Sequence, residues 1–122
     1  MEKSLKYEMA RLRAFTCATK KELSQLRKMA IGLGRTPIFS AAEVAEAMVF
    51  FALAGFNANK IMGAMPCTLN LAAVGQLCPV DAVKTVVKIM NGIGIDGKVI
   101  IDKLVGVLAA TSLSRQKKRT LN

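Results

Sequence analysis

The chain has 122 residues, a length that suits one domain whose single hydrophobic core needs no disulfide or metal to fold. Hydrophobic residues make up 52% of it but aromatic residues only 5%, which favours helices packed on helices over a β-sandwich or barrel. Its net charge of +10 predicts attraction to nucleic acid or anionic lipid, and the absence of histidine removes the commonest general base of enzymes.

Residues 2–33 are predicted to be helical, as one long helix or as two helices of about 2–17 and 20–31. Apolar residues and two threonines recur there at alternating spacings of four and three, which places them on one stripe. They are Leu5, Met9, Leu12, Thr16, Thr19, Leu23, Leu26, Ala30 and Leu33. Thr19-Lys-Lys-Glu22 is a capping-box pattern, which favours a second helix start at residue 20.

The apolar centre of the chain runs from Phe39 to Leu77 and is predicted to form three short helices. Ser40-Ala-Ala-Glu43 is a second capping box and is expected to start the first of them, with residues 39 and 44 as its hydrophobic staple. Gly55 is expected to end this helix.

The second central helix is predicted to begin at Asn57 and to end before Pro66, because a proline inside a helix removes a hydrogen bond. Thr68 is then expected to cap a third. This order loosely follows the spacing of a helix-turn-helix core. The third helix offers only Asn70 and Gln76 to read base edges, so we interpret the centre as a structural core.

Pro79 or Val80 is expected to open a further helix that ends at Asn91-Gly92, with residues 80, 83, 87 and 90 on its buried side. Residues 93–101 fit either a hairpin at Asp96-Gly97 or the start of a last helix, which is favoured. Residues 114–122 are expected to form a disordered basic tail.

These elements predict an all-α fold, a compact bundle of five to six short helices with a loosely helix-turn-helix-like centre. Three segments are expected: a basic amphipathic helical segment at 1–34, an apolar helical core at 38–113 and the basic tail. The first residues mix charges without an apolar run, so we expect no secretory signal and a cytoplasmic location.

No catalytic, metal or cofactor site is expected. Cys17, Cys67 and Cys78 lack CxxC spacing and have no histidine beside them, so they are interpreted as reduced, mostly buried thiols. Residues 92–97 spell GxGxxG, but the strand and acidic residue of a dinucleotide fold do not follow, which makes the match a coincidence. The protein is predicted not to be an enzyme.

The charge pattern predicts a small nucleic-acid-binding protein, DNA or RNA, that contacts phosphates with little sequence readout. Such proteins are often encoded by phages, viruses or plasmids, and a homodimer is a compatible state. The candidate phosphate ligands are Arg11, Arg13, Lys20, Lys21, Arg27, Lys28, Arg115, Lys117, Lys118 and Arg119.

Two alternatives remain open. One is a membrane-associated or membrane-inserting protein, since residues 61–80 carry no charge over twenty positions, although their prolines and polar groups are costly in lipid. The other is a helical assembly or adaptor protein whose methionine-rich surface packs on a partner helix.

Overall fold

The computed structural model describes residues 4–93, which form five α-helices. They are α1 (Leu5–Phe15), α2 (Lys20–Leu33), α3 (Ala41–Leu53), α4 (Ala58–Gly75) and α5 (Pro79–Ile93). This part of the chain contains no strand, and the predicted all-α fold is confirmed. The predictions for residues 94–122, including the last helix and the tail, lie outside the described residues.

The break between α1 and α2 falls at the first predicted capping box. The Thr19 hydroxyl accepts a hydrogen bond from the Glu22 N–H at 3.1 Å, and the Glu22 carboxylate accepts one from the Thr19 N–H at 3.0 Å. Upstream, the Thr16 hydroxyl donates to the Leu12 carbonyl at 2.8 Å, one residue after α1 ends. The two-helix prediction is therefore correct, and a single long helix is not formed.

Helix α3 is the central element, because it packs against each of the other four helices. It begins at the second predicted capping box, in which Ser40 and Glu43 exchange two hydrogen bonds of 3.1 Å. Its buried residues cover most of its circumference: Ala42, Val44, Ala45, Ala47, Met48, Val49, Phe51 and Ala52. A helix that is apolar nearly all round is stable only inside a core.

The other helices each turn one apolar side toward α3 or its neighbours. Side chains from all four lie in the core with at most 1% exposure: Leu12, Leu26, Ala30, Ile61, Met65, Val83 and Val86. On α5, residue 83 is buried as predicted, while 80, 87 and 90 are half-buried. The predicted stripe along residues 5–33 is confirmed in the same way, since its apolar members are buried or half-buried.

The predicted break at Pro66 is wrong. Helix α4 continues through this proline, which is exposed, while Met65 and Cys67 on either side of it are buried. Burial of both halves compensates for the hydrogen bond that Pro66 does not donate to Met62. Thr68 does not cap a third helix, and its hydroxyl donates to the Ala64 carbonyl at 2.7 Å inside α4.

The connection from α2 to α3 folds back tightly at Gly34. A Cβ atom placed there would lie 2.4 Å from the Ala41 nitrogen and 2.5 Å from the Ala41 Cα, distances that real Cβ atoms do not show. Because the obstructing atoms belong to the backbone, no side-chain rotation relieves the clash. The fold therefore needs glycine at position 34.

The substitution Gly34→Ala is expected to lower the free energy of unfolding by about 1–3 kcal/mol, since the start of α3 must move to admit the methyl group. Gly32→Ala is the matched control, because nothing lies within 4 Å of that added methyl and the position is inside α2. The control should gain up to about 1 kcal/mol from helix propensity. Urea denaturation followed by circular dichroism measures both, and equal stability of the two variants would contradict the close approach.

The substitution Pro66→Ala is expected to raise the free energy of unfolding by about 1–3 kcal/mol, because alanine restores an N–H that bonds within α4. Pro79→Ala is the comparison, since Pro79 is the first residue of α5, where no helical bond is regained, and it should lower stability because the Pro79 ring is buried. The same denaturation experiment applies. A loss of stability at position 66 would show that the proline is required by the packing.

Candidate interaction surface

Arg11, one of the predicted phosphate ligands, is engaged within the fold. Its Nη1 lies 3.1 Å from Oε2 of Glu8, whose side chain is 1% exposed. The Arg11 guanidinium also lies over the Tyr7 ring, 5.8 Å from its centroid. Removing the partner of a buried carboxylate is strongly destabilising, so we infer that Arg11 stabilises α1.

The other described candidates are exposed, and most of them lie on α2. Lys20 and Arg27 are seven residues apart, as are Lys21 and Lys28, so the four side chains form two neighbouring rows on the exposed surface of α2. Within residues 4–93 none of the four forms an ion pair. We call these four side chains the cationic face of α2.

The remaining candidates divide between α1 and the C-terminal residues. Arg13 is exposed on α1. Four others lie outside the described residues: Arg115, Lys117, Lys118 and Arg119. The structure therefore brings together only the candidates on α2.

A cleft of about 250 Å³ opens between the α1–α2 connection and the α3–α4 connection. We call it the interhelix cleft and define it by the residues on its two walls. On one wall are Phe15, Cys17 and Ala18, and on the other are Ala52, Phe56 and Asn57. The cleft thus joins two parts of the chain that are separated by the whole of α2 and most of α3.

The cleft has a mixed lining, in which aromatic and aliphatic side chains form one part and Thr16, Glu22 and Asn57 form a polar part. Phe56 packs on the buried Phe51 with ring centroids 4.9 Å apart, which holds Phe56 in place. Phe15, which lines the cleft, is 48% exposed. Gly55 permits the sharp turn from α3 into α4, because its φ is +94°, a value that residues with a side chain rarely adopt.

Three lysines lie near the cleft, while Glu22 contributes a carboxylate to its lining. The Lys60 Nζ lies 5.9 Å from the centroid of the Phe56 ring. Lys20 and Lys21 are exposed in the first turn of α2, between the wall residue Ala18 and Glu22, which also borders the cleft. The starts of α2 and α4 both lie beside the cleft and add their partial positive charge.

The three cysteines do not form disulfides. Cys67 is buried, as predicted for most of them, but Cys17 and Cys78 are exposed, and the prediction of mostly buried thiols is wrong for these two. Both lie in connections between helices, where the backbone faces solvent. Within residues 4–93, no three Cys, Asp or Glu side chains are grouped so as to hold a metal ion.

No single helix among the described residues has the length and apolar composition to cross a membrane. Ala58–Gly75 and Pro79–Asn91 satisfy those two criteria only as a pair, and the pair is bent by 116°. Several of its apolar residues are already in the core, among them Ile61, Met65 and Val83.

The sequence did not predict the interhelix cleft. Phe15 lies off the apolar stripe that passes through Leu12 and Thr16, and a large apolar residue in that position was the available signal. The contact between the two connections depends on how the helices pack around α3. That packing leaves no trace in the local spacing of residues.

Comparison with known proteins identifies relatives among phage tail proteins. The family described as phage-related minor tail proteins matches residues 27–118. A tape measure protein of Pneumococcus phage Dp-1 is 48% identical over 67 residues, which are 55% of this chain. The chain spans only 6% of the length of that protein. No solved structure is significantly similar to the chain.

These similarities overturn the prediction of a DNA- or RNA-binding protein, because both are to tail proteins. The prediction depended on net charge, and a positive surface attracts acidic proteins as readily as it attracts nucleic acid. A phage or viral source, which the sequence suggested, agrees with the comparisons. They also favour the alternative of a helical assembly protein over the main prediction.

The exposure of the cysteines predicts their reactivity. Cys17 and Cys78 are expected to react rapidly with Ellman's reagent in the native protein, whereas Cys67 should react only after unfolding, because it is 6% exposed. Absorbance at the thionitrobenzoate band, with and without guanidinium chloride, measures this. The Cys67→Ala variant is the control and should show no additional reaction on unfolding.

Proposed function

Because the chain belongs to the family of phage-related minor tail proteins, we propose that it is a helical structural component of a phage tail. It acts by packing against other tail proteins during assembly. The match of that family to residues 27–118 carries the proposal.

The relative from Pneumococcus phage Dp-1 supports a structural role, because it is named as a tape measure protein. Identity of 48% over 67 residues is high enough for the matched segment to share its fold and packing. We therefore propose that this segment contributes to tail architecture in the same way as the corresponding segment of the relative. Its partners are other tail proteins or further copies of itself.

The surface of the described residues is consistent with assembly through protein contacts. Four large apolar side chains are between 48% and 62% exposed: Tyr7, Phe15, Ile38 and Leu53. Exposed apolar groups of this size are a cost in an isolated protein when they cluster, and they commonly mark protein interfaces. The absence of enzymatic activity stays a prediction.

The test uses the phage that encodes the chain. Mass spectrometry of purified particles should detect peptides from residues 4–93 in the tail fraction, at lower abundance than the major tail components. In-frame removal of these residues should give particles with absent or malformed tails by electron microscopy, and a plasmid copy of the wild-type gene should restore them.

Two variants sharpen this test. Met48→Asp places a charge in the centre of the core and should not restore the tails, whereas Lys84→Gln, at an exposed position of α5, should restore them. Normal tails after removal of residues 4–93, together with no trace of the protein in particles, would refute the proposed function.

A further inference from the structure

We propose that the interhelix cleft is a docking site for an acidic peptide segment of another protein. One large apolar side chain of that segment occupies the cleft, and its neighbouring carboxylates face the lysines around it. That this other protein is a tail protein rests on the proposed function, whereas the argument from the chemistry of the cleft does not.

The size of the cleft suits a single side chain. Its volume of about 250 Å³ is smaller than the roughly 300–1,000 Å³ typical of pockets for small molecules and cofactors. The packing of Phe56 on Phe51 fixes one wall, and the capped starts of α2 and α4 fix its edges. A wall that is already in place does not lose conformational freedom when a partner binds.

The exposure of Phe15 indicates that the cleft is incomplete by itself. Phe15 lines the cleft but is 48% exposed. An apolar side chain inserted between the walls would remove part of this apolar surface from water. That burial supplies affinity.

The lysines near the cleft favour a binding segment that carries negative charge. Lys20 and Lys21 occupy the first turn of α2, where positive side chains are unfavourable for the helix because its N-terminus is already positive. Lys60 adds a third ammonium 5.9 Å from the Phe56 ring. Carboxylates beside the cleft would offset both the repulsion among these lysines and the unfavourable placement of two of them.

The occupant is therefore not a second copy of this surface. Within residues 4–93 the carboxylates are either engaged by the fold or placed at a helix start: Glu8, Glu22, Glu43, Glu46 and Asp81. The chain also carries a net charge of +10, so two copies repel each other. A different, acidic chain both offers free carboxylates and is attracted to this protein.

An acidic protein segment fits the cleft better than nucleic acid does. Phosphate binding requires exposed cations and no apolar cavity. Stacking of bases requires a flat exposed aromatic platform, whereas the Phe56 ring is half-buried against Phe51. A partly apolar cleft with lysines nearby matches an apolar anchor flanked by carboxylates. The Glu22 carboxylate in the lining is already engaged, because it accepts a hydrogen bond from the Thr19 N–H.

Fluorescence anisotropy with the full chain tests the proposal. The probe is a labelled synthetic peptide that has one leucine flanked on both sides by glutamates. Binding is expected to weaken about tenfold or more when the leucine is replaced by alanine, because the cavity then loses its apolar occupant. A glutamine version of the peptide should bind weakly and lose the dependence on salt.

The two exposed cysteines locate the binding site. The peptide should slow the reaction of maleimide with Cys17, which lines the cleft, and leave the reaction of Cys78 unchanged. A bulky maleimide attached to Cys17 in the Cys78→Ser protein should abolish peptide binding. The same label on Cys78 in the Cys17→Ser protein is the matched control and should not affect binding.

Paired lysine variants test the charge. The double variant Lys20→Gln and Lys21→Gln should weaken peptide binding by about twofold to tenfold, as expected for two exposed ion pairs. Lys84→Gln and Lys88→Gln remove the same charge from exposed positions of α5 and should leave binding unchanged. Circular dichroism confirms that all four substitutions preserve the helices.

Four results would overturn the proposal: no peptide binding, equal binding of the alanine peptide, equal protection of both cysteines, or stronger binding of a DNA duplex through Lys20 and Lys21. Failure here is distinguishable from failure of the proposed function. A chain that is found in tails but does not bind the peptide keeps its structural role and loses this docking site. Peptide binding by a chain that is absent from tails would leave the site without a tail partner.

Discussion

Burial of α3 on nearly every side is the constraint from which the rest of the described structure follows. A helix with Ala47 and Val49 fully enclosed on nearly opposite sides requires neighbours around most of its circumference, and four other helices supply them. Each of these neighbours then needs only one apolar side. Their outward sides are left to carry charge, which is why the cationic face of α2 and the exposed lysines of α5 cost the core nothing. The interhelix cleft arises where two connections, at 16–19 and 54–57, pass the same end of this arrangement without closing over it.

Helix starts were predictable from the sequence because their chemistry is local. The hydroxyl of Thr19 or Ser40 and a carboxylate three residues later satisfy backbone groups within a single turn, and no distant residue is needed. The continuation of α4 through Pro66 was not predictable in this way. The local rule was correct about the missing hydrogen bond, but the burial of Met65 and Cys67 against other helices outweighed it. The cleft could not be predicted from the sequence for the same reason. Its two walls are about forty residues apart in the chain and come together only because both pack beside α3.

Net charge predicts that the protein attracts anionic partners, but it does not predict which class of protein this is. The same excess of lysine and arginine serves a protein that binds phosphates and one that binds acidic partners, because the long-range field is similar in both. What separates the two is the surface close to the charges. Here two lysines of α2 lie beside a partly apolar cleft, and Arg11 is held by a buried carboxylate within α1. Similarity to tail proteins gave information that composition does not contain.

The proline inside α4 has a mechanical consequence. A helix resists bending mainly through its backbone hydrogen bonds. Helix α4 lacks one of them, because Pro66 has no N–H to donate to the Met62 carbonyl. Strain applied to either end of α4 is therefore concentrated at this turn, on the solvent side, while Ile61 and Leu69 remain anchored in the core. The longest described helix is thus stiff at both ends and compliant at one known point between them.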